Sequence, residues 1–207
     1  MSAVDSEAYW EDRYRDREPG WGTNPNAVLV SVLAELDLVP GDALDLGAGH
    51  GGDAFWLASN GWRVTAVDVS ATALTRVAAG AAGRGLVVAT EQHDLTRTLP
   101  TVAVDLLTAT YFQTPLEIDR DAILRRAVGL VRSGGTLVVI DHGNAPPGSR
   151  LAHAHHHFPT VAETWASLDL GDDWELVRLD APVRRAVAPD GEVADLTDNV
   201  IVAQRSR

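Results

Sequence analysis

The sequence contains no cysteine among its 207 residues. A disulfide bond, a thiolate nucleophile and a cysteine-ligated zinc site are therefore excluded. The absence favours neither an oxidising nor a reducing compartment, because no cysteine chemistry in this chain depends on either one.

Positive charge is scarce. Lys and Arg together number 17 against 29 Asp and Glu, which gives a formal net charge of −12 at pH 7. A protein of this charge repels phosphate backbones unless its few arginines cluster on one face. We therefore expect no nucleic-acid partner, while small ligands remain open.

Long hydrophobic runs are also missing. The N-terminus is polar, and no later stretch approaches the roughly 18 apolar residues of a membrane span. We expect a cytoplasmic protein with no membrane partner. The hydrophobic content of 45% is ordinary for a globular protein, and the length suits one domain with a substantial core. We therefore predict a single domain over residues 1–207.

The stretch from Asp42 to Asp53 has the pattern of a short buried strand, a glycine-rich turn and the start of a helix. Glycine allows positive φ and a close approach to a ligand, and the helix that follows presents unpaired N–H groups. A second apolar run ends in Asp68, about 20 residues past the first glycine, where an acid is placed to accept from both hydroxyls of a ribose. This pattern predicts a site for a nucleotide-like ligand.

The glycine spacing does not name that ligand, because Gly47-x-Gly49-x-x-Gly52 also fits the dinucleotide fingerprint of nicotinamide and flavin enzymes. Asp45 lies two residues before the first glycine and would repel a pyrophosphate, whereas it suits the cationic amino group of an amino-acid tail. Asp94 follows a third apolar run, where an acid can accept from an adenine amino group. These two acids favour a nucleoside with an amino-acid tail.

Apolar runs and helical patterns alternate along most of the chain. Strands are predicted at 42–46, 62–67, 86–90, 102–110 and 136–141, and helices at 6–17, 25–38, 52–60, 71–82 and 119–131. Asn24 and Ser70 are the expected N-caps of the helices at 25–38 and 71–82. The alternation predicts an α/β fold, a mostly parallel sheet wound on both faces by right-handed crossovers.

The pattern changes after Asp141. Thr160 and Glu163 form a capping box that predicts one more helix. The runs 174–181 and 199–204 have the composition of strands, and the turn residues at 189–191 predict that they form an antiparallel pair.

With these residues assembled, the chain resembles the class I S-adenosylmethionine-dependent methyltransferases. The resemblance rests on the glycine motif Asp45-x-Gly47-x-Gly49-x-Gly51 and extends through 68–70, Asp94, 105–111 and 130–137. The opening runs 9–14 and 21–26 look like the small-molecule branch, near the tellurite-resistance and thiopurine types. The resemblance implies a single doubly wound, Rossmann-like sheet of seven strands, with an antiparallel last strand inserted between the fifth and sixth.

The cofactor that the resemblance implies is S-adenosyl-L-methionine. Asp45 would lie near its amino group, Asp68 on the ribose, and Asp94 with Leu95 around adenine. Residues 1–24 would supply a lid helix and loop over an α/β core of residues 25–207, although the aromatic face of that helix could equally pack on the domain alone. The full set of expected cofactor residues is Trp10, Tyr14, Asp45, Gly47, Ala48, Gly49, Asp68, Val69, Asp94, Leu95 and Thr110.

Methyl transfer from a sulfonium is an in-line displacement, so the protein mainly has to hold the nucleophile and the methyl carbon in line. An acceptor that must lose a proton needs a base nearby, and His142 and Tyr111 are the candidates at strand ends. A thiolate or a neutral amine would need no base.

The acceptor is expected to enter between the N-terminal segment, the Tyr111 loop and residues 142–158. Its walls would favour a flat or apolar small molecule, and the candidate substrate-binding residues are Trp21, Phe112, His155 and Phe158. The cluster from His153 to His157 has poor metal-ligand spacing and is interpreted as a polar surface loop, so no metal is predicted.

Two other functions stay open. A nicotinamide-dependent oxidoreductase would satisfy the glycine spacing, and a non-catalytic cofactor-binding module would keep the same site without turnover. The chain is expected to act as a monomer or a homodimer.

Overall fold

The computed structural model describes residues 5–15, 22–145, 157–187, 191 and 193–207. Within these residues one mixed sheet is flanked by helices on both faces. The helices are α1 Ser6–Arg15, α2 Ala27–Leu36, α3 Gly52–Ser59, α4 Ala71–Gly83, α5 Arg120–Val128 and α6 Val161–Leu168. The strands are β1 Asp42–Leu46, β2 Arg63–Asp68, β3 Val88–Gln92, β4 Val104–Thr110, β5 Val131–His142, β6 Trp174–Asp180, β7 Val183–Val187 and β8 Val193–Arg205.

The strand order in the sheet is β3-β2-β1-β4-β5-β8-β6. The first five strands along this path are parallel, and β8 runs antiparallel between β5 and β6. The predicted seven-stranded doubly wound fold is confirmed, including the inserted antiparallel strand.

An eighth strand, β7, pairs only with β8 and was not predicted. It is β7, rather than β6, that directly precedes β8 in the chain, and Pro182 lies between β6 and β7. Proline lacks the N–H that a continuous ladder needs, which accounts for the break. Positions 189 and 190 of the predicted turn lie outside the described residues. The predicted antiparallel pairing of the runs 174–181 and 199–204 is confirmed. Their direct connection by one turn was wrong, since β7 lies between them in the chain and β8 already begins at Val193.

The N-cap predicted for α2 was also wrong. The cap is Asn26, whose side-chain oxygen accepts from the backbone N–H groups of Val28 and Leu29. The backbone N–H of Asn26 in turn donates to Asp53 at 2.6 Å, so a contact 27 residues away decides where the helix begins. The predicted cap of α4 at Ser70 and the capping box of α6 are both confirmed.

The core consists of one apolar layer on each face of the sheet. Successive residues of a strand face opposite layers, so on β1 Ala43 packs in one layer and Leu44 in the other. The helices α2, α3 and α4 cover one face, and α5 and α6 cover the other. Because β1, β2 and β4 are parallel, their carboxyl ends lie together at one edge of the sheet, between the two helical layers. None of the described helices is long and apolar enough to cross a membrane.

Candidate active site

The glycine turn after β1 passes so close to neighbouring residues that a side chain on its glycines would clash with them. Gly47 has φ of +69°, and a Cβ added there would lie 2.7 Å from Cδ2 of Phe112. A Cβ on Gly52 would lie 2.2 Å from the carbonyl oxygen of Asn24, because the loop before α2 crosses the start of α3. Only glycine therefore fits at these positions, and the turn lies directly beneath the Phe112 ring.

A cavity of about 450 Å³ lies over this turn. All eleven expected cofactor residues line it, from Trp10 and Tyr14 on α1 to Thr110 at the end of β4. Phe112 and Tyr111 line it as well. His142 and Phe158 are not among the described lining residues, and Trp21 and His155 lie outside the part of the chain that the structure describes.

Two buried carboxylates, Asp45 and Asp53, line the cavity. Asp45 Oδ1 accepts from the hydroxyl of Thr108 at 3.0 Å, while its Oδ2 atom is buried without a hydrogen-bond partner. Asp53 Oδ1 accepts from the N–H of Asn26, and its Oδ2 accepts from the hydroxyl of Thr110. Burial raises the pKa of both carboxyls, and the charge of Asp53 raises the pKa of Asp45 further. The pair therefore has a strong affinity for either a proton or a cation.

Asp68, at the end of β2, is fixed by backbone N–H groups. Its Oδ2 accepts from Gly49 at 2.9 Å and its Oδ1 from Ser70 at 3.0 Å. Burial raises the pKa of this carboxyl, while the backbone N–H groups act in the opposite direction. Each oxygen accepts one of these bonds and keeps a second lone pair, so both can still accept from a pair of hydroxyl groups.

Asp94 follows β3 at the far end of the cavity. Its Oδ1 accepts from both the N–H and the hydroxyl of Thr96, at 3.0 and 2.6 Å, and Arg97 lies 3.3 Å from its Oδ2. The buried Leu95 side chain lines the cavity beside it. This corner combines an acceptor with an apolar surface, as a purine ring requires.

Helix α1 closes one side of the cavity with aromatic rings. Trp10 and Tyr14 are stacked with their ring centroids 5.9 Å apart, and Tyr14 packs edge-on against His50 of the glycine turn. Between the two rings in sequence lies Glu11. Its carboxylate accepts from the hydroxyl of Ser70 at 2.6 Å and from the N–H and hydroxyl of Thr72.

The clamp from Glu11 holds α1 against the first turn of α4. Hydrogen bonds from Ser70 and Thr72 lower the pKa of Glu11 to about 2, so it is charged at every physiological pH. A carboxylate at a helix N-terminus also interacts favourably with the helix dipole.

Tyr111 follows β4 in a left-handed backbone conformation, with φ of +50°. Its hydroxyl donates to Asp198 Oδ1 at 2.8 Å and accepts from Arg184 at 3.2 Å. Its ring stacks on His142 with centroids 3.7 Å apart. Burial raises the pKa of Tyr111 to about 12 and lowers the pKa of His142 to about 4. Both side chains are therefore neutral at physiological pH, and Tyr111 is a hydrogen-bond donor rather than a base.

The residues after Tyr111 are held by a buried ion pair. Arg120 donates to the carbonyl oxygen of Phe112 at 2.6 Å and to Asp141 Oδ1 at 2.5 Å. Gln113 exchanges two hydrogen bonds with the backbone of His142, at 2.7 and 3.1 Å. These contacts fix the Phe112 ring over the glycine turn.

Sequence patterns alone did not identify two residues of this region, Asp53 at the cavity and Glu11 on α1 beside it. Asp53 was visible as an acid in the first turn of α3, but only the fold shows that it faces Thr110, 57 positions away. Glu11 was visible between two aromatic residues of α1, with no local sign of its partner Ser70.

The histidine cluster is only partly described. His157 is exposed, with its Nε2 atom 4.0 Å from Glu163, while residues 153–156 lie outside the described ranges. Among the residues that the structure does describe, no three His, Asp or Glu side chains are placed to hold a metal ion.

Comparison with known proteins adds to this geometry. Residues 43–135, which include the glycine turn and the strand ends at Asp68, Asp94 and Thr110, match the model of a methyltransferase domain family. Residues 43–135 are thereby identified as a methyltransferase domain. The cofactor of this family is S-adenosylmethionine.

A curated relative is the ribosomal RNA small subunit methyltransferase C of Alcanivorax borkumensis, 30% identical over 144 residues. The match covers 67% of this chain but only 44% of that relative. The chain therefore spans less than half the length of the curated relative that it matches.

Solved structures share the whole fold. TehB from Haemophilus influenzae has a TM-score of 0.68 at 15% identity, covering 97% of this chain and 67% of its own. A structure reported for the conversion of a disulfide bond into a thioacetal group during echinomycin biosynthesis has a TM-score of 0.75 at 23% identity, covering 97% and 91%. At these identities the likeness concerns the fold.

The residues at the site fit the cofactor of the family. The buried, unpartnered Oδ2 atom of Asp45 suits a cationic amino group, and the glycine turn leaves room that a Cβ at Gly47 would fill. Asp68 and the Asp94 corner offer acceptors for hydroxyl and amino groups. S-adenosylmethionine, when bound, supplies an electrophilic methyl group on a sulfonium.

Proposed function

We propose that this chain transfers the methyl group of S-adenosylmethionine to a small-molecule acceptor by in-line displacement. The observation that carries the proposal is the buried Asp45 carboxylate, which has one oxygen without a hydrogen-bond partner beside the glycine turn. A pyrophosphate would be repelled at this position, which disfavours the nicotinamide-dependent alternative.

The charge of the cavity supports a small acceptor without phosphate groups. Its described walls include the carboxylates of Asp45, Asp53, Asp68 and Asp94 and contain neither Arg nor Lys. Together with the net charge of −12, this makes the site unfavourable for an RNA backbone. An acceptor without phosphate groups is favoured, even though the curated relative is named for ribosomal RNA.

The aromatic residues give the acceptor region its shape. Phe112 and Tyr111 lie at the end of β4 and, in this proposal, form the wall against which the acceptor packs. Their part is to hold the attacking atom within about 3–3.5 Å of the methyl carbon and to exclude water. Phe158, Trp21 and His155 stay predictions for the outer part of that wall.

Neither strand-end candidate is well suited to remove a proton. The phenol of Tyr111 donates to Asp198, and its raised pKa of about 12 keeps it protonated. Burial lowers the pKa of His142 to about 4, which makes it a weak base near neutral pH, and its ring is stacked on Tyr111. We therefore propose an acceptor that reacts as a thiolate or a neutral amine, with His142 as a base only if His142→Ala lowers turnover.

We also propose that residues 1–207 act as one domain, with α1 as a lid held by Glu11. The oligomeric state, monomer or homodimer, is a separate prediction that light scattering of the purified protein measures.

Calorimetry and a product assay test the proposal together. S-adenosylmethionine and its demethylated product should bind, and NAD should not. Release of the demethylated product should then be measured with a panel of thiols, amines and phenols, and with small-subunit ribosomal RNA. Binding of NAD alone would overturn the assignment, and turnover with the RNA but with none of the small molecules would overturn the acceptor class.

A further inference from the structure

The carboxylates of Asp45 and Asp53 are brought together by one strand. Asp45 pairs in register with Thr108 on β4 and accepts its hydroxyl hydrogen bond, while Asp53 accepts from Thr110. Side chains two residues apart on a strand point to the same face, with their Cα atoms about 7 Å apart. Both carboxylates therefore lie on the same side of β4, and both residues line the cavity.

The local hydrogen bonds do not neutralise these two carboxylates. The described donors to the pair are the hydroxyls of Thr108 and Thr110 and the backbone N–H of Asn26, all of them uncharged. Asp45 Oδ2 receives no hydrogen bond, although Asp45 is only 2% exposed. Two adjacent buried carboxylates without a counter-ion cannot both be ionised cheaply, because each charge opposes the other in a poorly solvated place.

We infer that Asp45 and Asp53 share one proton in the free protein and release it when the amino group of the cofactor binds, with Asp53 acting as a second ligand of that group. The inference rests on the proposed function, since it concerns the same cofactor site. The O–H bond of the pair breaks, the proton passes to the buffer, and the ammonium replaces it as the positive charge between the two carboxylates. An acid at Asp45 alone would bind the ammonium without this exchange.

The other titratable groups that face the pair supply no positive charge. The facing titratable groups are Asp68 from β2, His50 from the glycine turn and Tyr14 from α1. Asp68 adds negative charge and raises the pKa of Asp45. Burial lowers the pKa of His50, and burial raises that of Tyr14, so both are neutral at physiological pH. Nothing among these groups supplies the missing positive charge.

The exchange makes cofactor affinity depend on pH. Over the pH range in which the free protein holds this proton, binding releases it. The apparent association constant for the cofactor then rises about tenfold for each unit by which the pH is raised. The amino group of the ligand is itself protonated below about pH 7.7, so it supplies its charge throughout this range.

Calorimetry in buffers of different ionisation enthalpy measures the released proton directly. The demethylated cofactor is titrated into the full chain at one pH near neutrality, in phosphate, in a sulfonate buffer and in Tris. We expect the observed enthalpy to change linearly with the ionisation enthalpy of the buffer, with a slope approaching one proton released. A slope of zero overturns the inference while leaving the proposed function intact, whereas absence of binding overturns both.

Matched variants assign the proton. Asp53→Asn keeps the shape of the side chain, and it should remove most of the slope and weaken binding roughly tenfold, the effect of about 1.4 kcal/mol. Asp172→Asn, at an exposed residue before β6, should change neither quantity. A full slope in a folded Asp53→Asn protein would place the proton elsewhere and refute the pair. If that variant does not fold, the buffer series on the native chain still decides whether a proton is released.

Discussion

Replacing Glu11 by glutamine removes the charge that holds α1 against α4. The carboxylate accepts three hydrogen bonds, from Ser70 and from both donors of Thr72. A glutamine side chain has one acceptor oxygen, and its second position is an NH₂ group that cannot accept a hydrogen bond. Some of the three hydrogen bonds from Ser70 and Thr72 are therefore lost. The change leaves the aromatic rings of Trp10 and Tyr14 in place, which makes it a test of the clamp alone.

The size of the effect follows from the pKa of Glu11. A fall from 4.5 to about 2 corresponds to about 3 kcal/mol between the charged and neutral forms. Water reaches this carboxylate, so screening reduces the expected loss to about 1–2 kcal/mol. Because the pKa is lower in the folded state, the contribution is complete above about pH 4.5 and is lost as the pH falls toward 2.

Hydrogen exchange of the α1 amides measures this loss locally. In Glu11→Gln, the amides of Tyr9–Arg15 should exchange roughly 5- to 30-fold faster at neutral pH, with little change in the sheet. The demethylated cofactor should also dissociate faster, since α1 lines the cavity. Asp12→Asn, an exposed acid on the same helix, is the control. Equal exchange in Glu11→Gln and in the native chain would refute the clamp.

Two further predictions follow from the turn and from the buried ion pair. Gly47→Ala places a methyl group against Phe112 at a positive φ, so we expect a loss of about 1–3 kcal/mol in stability and weaker cofactor binding, measured by denaturant titration and calorimetry; unchanged binding would contradict the close approach. Arg120→Met leaves Asp141 buried without its partner, which should cost about 3–5 kcal/mol at neutral pH. Burial raises the pKa of Asp141, so lowering the pH protonates it and should reduce that cost, and a cost that grows on acidification would contradict the account.

The parts of the fold that local patterns determine were predictable. The strand, glycine turn and helix from Asp42 to Ser59 follow from consecutive apolar residues and glycines, and they were placed within a residue or two. The third strand was placed two residues too early, because β3 is a largely exposed edge strand whose position is set by pairing with β2. The cap at Asn26 depends on Asp53, which no local pattern reveals.

The site was predictable to the same extent. Asp45, Asp68 and Asp94 lie at strand ends, and parallel strands bring such ends to one edge of the sheet. Asp53 contacts Asn26 and Thr110, which lie 27 and 57 positions away, and Glu11 contacts Ser70, 59 positions away. These contacts therefore appear only once the topology is fixed. Their contribution to cofactor binding stays a prediction.

Among the described contacts, strands β7 and β8 reach the cavity wall at Tyr111, whose hydroxyl contacts Arg184 of β7 and Asp198 of β8. Strand β7 is paired with the sheet only through β8, and none of the described contacts of β7 involves the glycine turn. A substitution in β7 is therefore expected to alter the cavity beside Tyr111 and to leave its glycine-turn end unchanged. The fold thus supports the two ends of the cavity through different elements.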